Sequence, residues 1–274
     1  MKITILVDNQ ISRQQLRAEH GFALWIESEG RHILFDTGQG VALENNARVL
    51  GIDLGKTDII VLSHGHYDHG GGIAQVLKRA RKAEIYCHPG IVLPRYSIGG
   101  GMATPVHLPQ PSLAALDRLP SPQVHWLQQP LLLSEHVGLS GLIPRETSYE
   151  DTGGPFYLDP QGKRPDPLND DLALWLHTAS GLVVCVGCSH AGLVNTLTHA
   201  LRLNKGQKIR AVIGGFHLRH ASSERLAQTV SFLRQLEPEL VVPCHCTGER
   251  AVAALQGALG ARISAGAAGL SYLF

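Results

Sequence analysis

Short apolar runs bounded by glycine, aspartate or serine recur along the chain, a pattern of strands buried on both faces rather than of long amphipathic helices. Lys2–Val7, residues 22–27 and Arg31–Phe35 read as strands, the last two joined by a Ser28-Glu29-Gly30 turn, and this meander ends in Asp36-Thr37-Gly38. Residues 45–50 predict a short helix broken by Gly51 and Gly55, and the apolar run at 58–63 predicts the next strand. Helical spacing returns at 73–79, followed by a short strand at Glu84–Cys87. A strand, loop, helix, strand unit results, with the loop at 63–72.

Regularity is lost between about 88 and 169, where Pro94, Pro105, Pro109, Pro111, Pro120, Pro122 and Pro130 interrupt any long helix. The glycine-rich patches at 97–101 and 151–155 read as mobile loops. A connection this long in a compact domain is usually functional, so substrate specificity is expected here. Beyond it, residues 172–177 and 182–187 predict a hairpin turning at Ala179-Ser180-Gly181. Strands at 209–213 and 240–243 and a helix near 193–203 follow.

Composition narrows the class. The 274 residues, 44% of them apolar, contain no linker-like stretch and predict one domain with a sizeable core. A net charge of +1 without a basic stripe argues against a nucleic-acid surface, and no apolar run approaches a membrane span. A small-molecule substrate is therefore expected, with no nucleic-acid or membrane partner, while the oligomeric state is left open. The N-terminal Met1 to Asp8 stretch turns acidic too early for a signal peptide, which predicts a cytoplasmic location. Five cysteines, including Cys185 with Cys188 and Cys244 with Cys246, suit reduced thiols better than a disulfide framework. Either pair could ligate zinc in principle, but Cys185 lies in an apolar run and reads as a core thiol.

The densest chemistry lies in Ser63-His64-Gly65-His66-Tyr67-Asp68-His69-Gly70-Gly71-Gly72, which places three imidazoles and a carboxylate in six positions straight after a strand. Neutral imidazole and carboxylate are the usual ligands of zinc, manganese or iron. Here His64 and His66 would serve one ion, and Asp68 and His69 another; the competing reading is a solvated histidine-rich surface loop. Cys188-Ser189-His190, His217 and His245 also follow apolar strand candidates, the edge at which open α/β sheets place ligands.

On these residues the chain resembles the metallo-β-lactamase superfamily, and the resemblance spans nearly its whole length. It implies an α/β fold, a four-layer αββα sandwich of two mixed sheets, and a divalent-metal cofactor of one or two ions, zinc first, with manganese or iron as alternatives. Asp36 matches the superfamily aspartate that orients a metal ligand, and His245 matches the last metal-binding histidine. The segments Val7-Asp8-Asn9, Glu19-His20-Gly21-Phe22, Gly187-Cys188-Ser189-His190, Gly214-Gly215-Phe216-His217 and Cys244-His245-Cys246-Thr247-Gly248 resemble the branch typified by archaeal dihydropterin-type ribofuranosylaminobenzene phosphate synthases. One departure stands out. Where most members carry a Gly-Asp pair whose carboxylate bridges two metals, this chain reads Gly187-Cys188. His190 is therefore the expected ligand there, with Cys188 beside it as the lesser candidate. The superfamily's isolated third-motif histidine has only His136 and His177 as weak counterparts. His217 resembles a substrate-contacting or proton-transfer position.

A divalent ion in such a site lowers the pKa of bound water to ~7 and polarises phosphoryl or carbonyl oxygens. Asp68 could take the proton, and Arg145 and Arg219 are candidates for phosphate contact, with a solvated surface charge as the favoured reading of each. The leading expectation is a metal-dependent transferase or hydrolase acting on a small phosphorylated or heteroaromatic substrate. The alternatives are a metal-containing sensor that binds without turnover and a generic phosphodiester, thioester or lactone hydrolase. Nucleic-acid processing is disfavoured by the charge.

Overall fold

The computed structural model describes residues 1–274, which resolve into two compact units. One comprises Met1–Leu127, Phe156–Asp166 and Gly266–Phe274; the other comprises Gln128–Pro155 and Pro167–Ala265.

The first unit is built on a seven-stranded mixed sheet in the order Ser271–Leu273, Lys2–Val7, Ala23–Ser28, Arg31–Phe35, Ile59–Val61, Glu84–Cys87, Val124–Trp126. The first four are antiparallel neighbours, as a meander requires, and the remaining pairings are parallel, with Ile33 opposite Ile59 and Ile60 opposite Ile85. The central strands are apolar at successive positions because both faces are covered. Leu43 and Ala47 of the helix Leu43–Val49, with Ile73 and Val76 of Ile73–Arg79 and Leu116 of Gln110–Asp117, pack against Leu34, Ile60 and Ile85. The predicted helix at 45–50 therefore starts two residues earlier, and the strand at 58–63 is shorter.

The second unit carries a six-stranded sheet in the order Leu240–Cys244, Ile209–Gly215, Gly181–Val186, Ala173–Thr178, Val137–Leu139, Leu131–Leu132. Its first three strands run parallel, connected by the helices Leu193–Leu203 and Ser223–Leu236, and the rest are antiparallel. The Ser222 hydroxyl accepts the N–H of Arg225 at 3.0 Å and caps the second of these helices. Val184, Val212 and Val241 meet Leu197, Leu233 and Leu255 in the core. The hairpin turns at Ala179-Ser180 as expected, with Thr178 opposite Gly181.

The region at 88–169 holds more regular structure than its prolines and glycines suggest. Residues 97–101 are not a mobile loop. Tyr96–Gly99 and Met102–Pro105 form a hairpin around Gly100-Gly101, both in the left-handed region, and Phe156–Tyr157 adds a third strand. Likewise Gln110–Asp117 is helical because Pro111 occupies its first turn, where no N–H is needed. The patch at 151–155 has no strand or helix, but the Asp151 carboxylate accepts the Gly153 N–H at 2.8 Å and pairs with the buried Arg225 guanidinium.

Beneath the histidine loop lies a buried ion pair, Arg95 Nε to Asp166 Oδ2 at 2.7 Å, with Arg95 only 1% exposed. Breaking one partner of such a pair leaves a charge without compensation in a dry setting. Asp166→Ala is expected to cost ~3 kcal/mol in chemical denaturation, whereas Arg79→Ala, at the exposed salt bridge to Glu44, costs much less. Equal losses for the two variants would remove the ion pair from the list of stabilising contacts.

Candidate metal centre

In the first unit, the strand Ile59–Val61 delivers Ser63 and the histidine loop beside the end of its neighbour Arg31–Phe35, where Asp36 sits. Asp36 is fully buried, and its carboxylate accepts three hydrogen bonds: from Ser63 N at 2.8 Å, Ser63 Oγ at 2.7 Å and His69 Nδ1 at 2.7 Å. An ionised carboxylate only accepts, so His69 carries its proton on Nδ1 and presents Nε2. The same logic extends one residue further. Ser63 donates to Asp36, so its oxygen accepts from His64 Nδ1 at 2.9 Å, which leaves Nε2 of His64 as the available donor atom.

That Nε2 lies 2.9 Å from Nδ1 of His66. Two nitrogens on a tetrahedral zinc with bonds of ~2.05 Å would be about 3.3 Å apart, so the pair fits one ion after a small outward movement. Asp68 Oδ2 lies 3.8 Å from His69 Nε2 and 3.2 Å from His20 Nε2. The donor types and spacings thus suit a divalent transition metal.

The surrounding backbone explains why the loop needs its glycines. A Cβ on Gly65 would run into the Ile91 carbonyl and the Arg95 guanidinium, and one on Gly71 would lie 2.6 Å from the carbonyl oxygens of Gln39 and Tyr67. Thr37 closes the loop from the other side, its N–H and hydroxyl both reaching the His69 carbonyl at 2.6 and 2.9 Å.

His20 was not singled out from the sequence. It is placed by its neighbours: Glu19 accepts backbone N–H groups of Gln39, Val41 and Ala42 at 2.9–3.0 Å, while Phe22 N donates to the Asp68 carbonyl at 3.2 Å. Burial pushes the Glu19 carboxyl up, against the pull of those N–H groups.

The second unit supplies another donor cluster, where three parallel strands end side by side. Gly181–Val186 leads to Cys188 and His190, Ile209–Gly215 to His217, and Leu240–Cys244 to His245 and Cys246. Donor atoms of Cys188, His190 and His217 lie within 4.8 Å of one another, as do those of Cys188, His245 and Cys246. His190 gives its Nδ1 proton to the Thr152 carbonyl at 2.7 Å, so its Nε2 is the donor atom. Burial raises the Cys246 thiol, but the adjacent Cys188, His217 and His245 outweigh it and hold that thiol well below the ordinary range. Cys185, enclosed in the core with no such neighbours, is pushed up by burial instead.

Backbone strain concentrates at the same places. Asp36, Ser189, His217 and His245 all adopt positive φ, at 60°, 55°, 46° and 47°. Non-glycine residues rarely do so unless the surrounding structure enforces it.

Some candidates find other employment. Arg145 gives its guanidinium to the carbonyls of His190 at 2.6 Å and Pro167 at 2.6 Å, so it is a structural tie rather than a phosphate contact. His177 pairs with Leu182, at the opposite end of the sheet from Cys188, and its backbone N–H donates to the His136 carbonyl at 2.7 Å, so neither histidine belongs with this cluster. Arg219 packs against Gly248 at the start of the helix Glu249–Leu259.

A family model of the metallo-β-lactamase superfamily matches residues 16–245. The chain belongs to that superfamily. It is 32% identical over 256 residues to the uncharacterized protein MJ0448 of Methanocaldococcus jannaschii, covering 92% of this chain and 93% of that one. A 30% identity over 246 residues links it to the 7,8-dihydropterin-6-methyl-4-(beta-D-ribofuranosyl)-aminobenzene-5'-phosphate synthase of the same organism, covering 85% of this chain and 83% of the synthase. The crystal structure of Tm1679, described as a metal-dependent hydrolase of the β-lactamase superfamily, superposes with a TM-score of 0.84 at 29% identity over 100% of this chain and 99% of that one. The mixed-sheet fold expected from the sequence is thus the superfamily's fold, and an enzyme is the class these relatives suggest. No helix is long and apolar enough to cross a membrane.

Asp36 holds its place by fixing His69 and, through Ser63, His64. Its replacement in Asp36→Asn is expected to weaken metal affinity ~10–100-fold, the range seen when such supporting partners are lost. Chelator competition on folded protein measures this, and unchanged affinity would dismiss the orienting role.

Proposed function

We propose that the protein is a metal-dependent enzyme of the dihydropterin-synthase-like branch, acting on a small phosphorylated or heteroaromatic substrate by metal-assisted transfer or hydrolysis. The observation that carries this reading is the pair of buried imidazoles on the 64–69 loop, His64 and His69, whose proton positions are fixed by Ser63 and Asp36. Such ordering is what a preformed metal site requires, and a solvated surface loop has no use for it. The 30% identity to a synthase over most of both chains supports the choice of branch.

The proposed ligands are His64, His66, Asp68 and His69 in the first unit and His190 and His245 in the second. Zinc is the first choice of metal, in one or two ions, with manganese or iron as alternatives. A bound ion would supply Lewis acidity toward a phosphoryl or carbonyl oxygen and toward a diphosphate leaving group. The protein's own part is proton handling. Asp68, whose Oδ2 lies 3.2 Å from Nε2 of the half-exposed His20, would accept a proton from the nucleophile and pass it outward through that imidazole. His217, on a strained turn with its ring centroid 4.5 Å from that of His190, is the proposed contact to substrate or leaving group.

A second reading is favoured by one specific feature. The position that usually carries a bridging carboxylate is Cys188, and a centre altered in this way suits a sensor that binds metal and ligand without turnover. Assays of metal-loaded protein against phosphodiester, thioester, lactone and pterin diphosphate substrates separate the two. Turnover lost on chelation, and reduced ~10²–10⁴-fold in Asp68→Asn, is expected for the enzyme. Tight binding of a small aromatic without any product would replace it by the sensor. Metal analysis adds a second check: His66→Ala and His190→Ala should each lower the metal content, and unchanged content in the latter would strike His190 from the ligands.

A further inference from the structure

We infer that the strand ends of the second unit form a thiolate-bearing metal position in which Cys188 and Cys246 are ligands together with His245. Cys188 is also the donor shared with a second triad, Cys188, His190 and His217. This deepens the metal reading above, on which it rests for the presence of an ion, and assigns ligand roles to Cys246 and to both thiols together.

Several independent features point this way. Cys188, His245 and Cys246 are buried, and their donor atoms lie within 4.8 Å of one another, close enough for three vertices of a tetrahedron with metal–sulfur bonds of ~2.3 Å and metal–nitrogen bonds of ~2.05 Å. The space is kept by Gly215, where a Cβ would lie 2.6 Å from the Cys246 sulfur. Two nearby carboxylates hold backbone instead: Asp171 accepts the Ala191 N–H at 2.7 Å, and Glu150 accepts those of Val194 and Asn195 at 2.9 Å. Cys188 belongs to both triads, and a thiolate can bridge two ions, which gives it the geometry of the missing bridging carboxylate. The other cysteines differ. Cys244 turns its sulfur to the Val242 carbonyl at 3.4 Å, and Cys185 lies inside a core strand.

The chemistry of binding is simple. Each thiol exchanges its proton for the divalent ion, the protons pass to solvent, and no electrons move, so no oxidant is needed. Soft donors of this kind select zinc, ferrous iron or cobalt over manganese and magnesium.

Cobalt(II) is the probe. Reduced, metal-free wild-type protein is titrated with it, metal content is measured by elemental analysis, and sulfur-to-cobalt charge transfer is read in the near-ultraviolet absorption. The expected result is a charge-transfer band that weakens in Cys188→Ser and in Cys246→Ser and is unchanged in Cys244→Ser. X-ray absorption of the zinc-loaded wild type needs no variant and should show sulfur at ~2.3 Å beside nitrogen at ~2.0–2.1 Å, so it decides even if a serine variant fails to fold. Bound metal with no charge-transfer band and no sulfur scatterer would overturn the thiolate site and leave the metal-dependent enzyme standing. A band insensitive to both Cys188 and Cys246 would also overturn it. Absence of any bound ion would remove this inference and the metal reading together.

Discussion

The carboxylate of Asp36 is the constraint on which the first unit's chemistry rests. It is wholly buried and accepts three hydrogen bonds, and a buried ionised carboxylate with fewer partners would be costly to keep in the dry interior. Because every one of those bonds ends on the 63–69 loop, desolvating Asp36 and ordering the loop are a single event. The strand order makes this possible: Arg31–Phe35 and Ile59–Val61 are parallel neighbours, so their C-terminal ends reach the same edge. The meander that precedes them thus serves chiefly to bring one acid to the foot of the histidines.

The second unit reaches its edge by a different route. Three consecutive parallel strands end together, and each leaves one or two donors in the turn that follows. Because the crossover helices are packed into the core by Leu197 and Leu233, and the helix that follows the last strand by Leu255, the donors inherit their positions from the core. Orientation then comes from the backbone: Thr152 supplies the carbonyl that sets the His190 tautomer, and Gly153 leaves room for the His217 ring. The segment carrying both is tied down by Asp151 and Arg225. A stretch with no regular structure is thus held by specific contacts.

Much of this was legible in the sequence, and the reasons differ by residue. His64, His66, Asp68 and His69 are contiguous and follow an apolar run, so their convergence needs only one local turn. The role of Asp36 came from the superfamily resemblance rather than from its position after a strand. His20 could not be read, since its meeting with Asp68 depends on the Glu19 side chain and the Phe22 N–H reaching distant backbone. The sequence pairs Cys246 only with its neighbour Cys244, because its approach to Cys188 spans 58 residues and depends on the register of three strands. The hairpin at 96–105 and the helix at 110–117 were hidden by glycine and proline, residues that mark a loop in isolation but here occupy the turn and the first turn of the helix.

The positive φ values at Asp36, Ser189, His217 and His245 carry a consequence for how this protein can change. A glycine relieves the strain of a left-handed residue, so at these positions the backbone favours a substitution that the chemistry forbids. At Asp36 that exchange would also release the 63–69 loop from its three hydrogen bonds, so the strained backbone there is the condition of the loop's order.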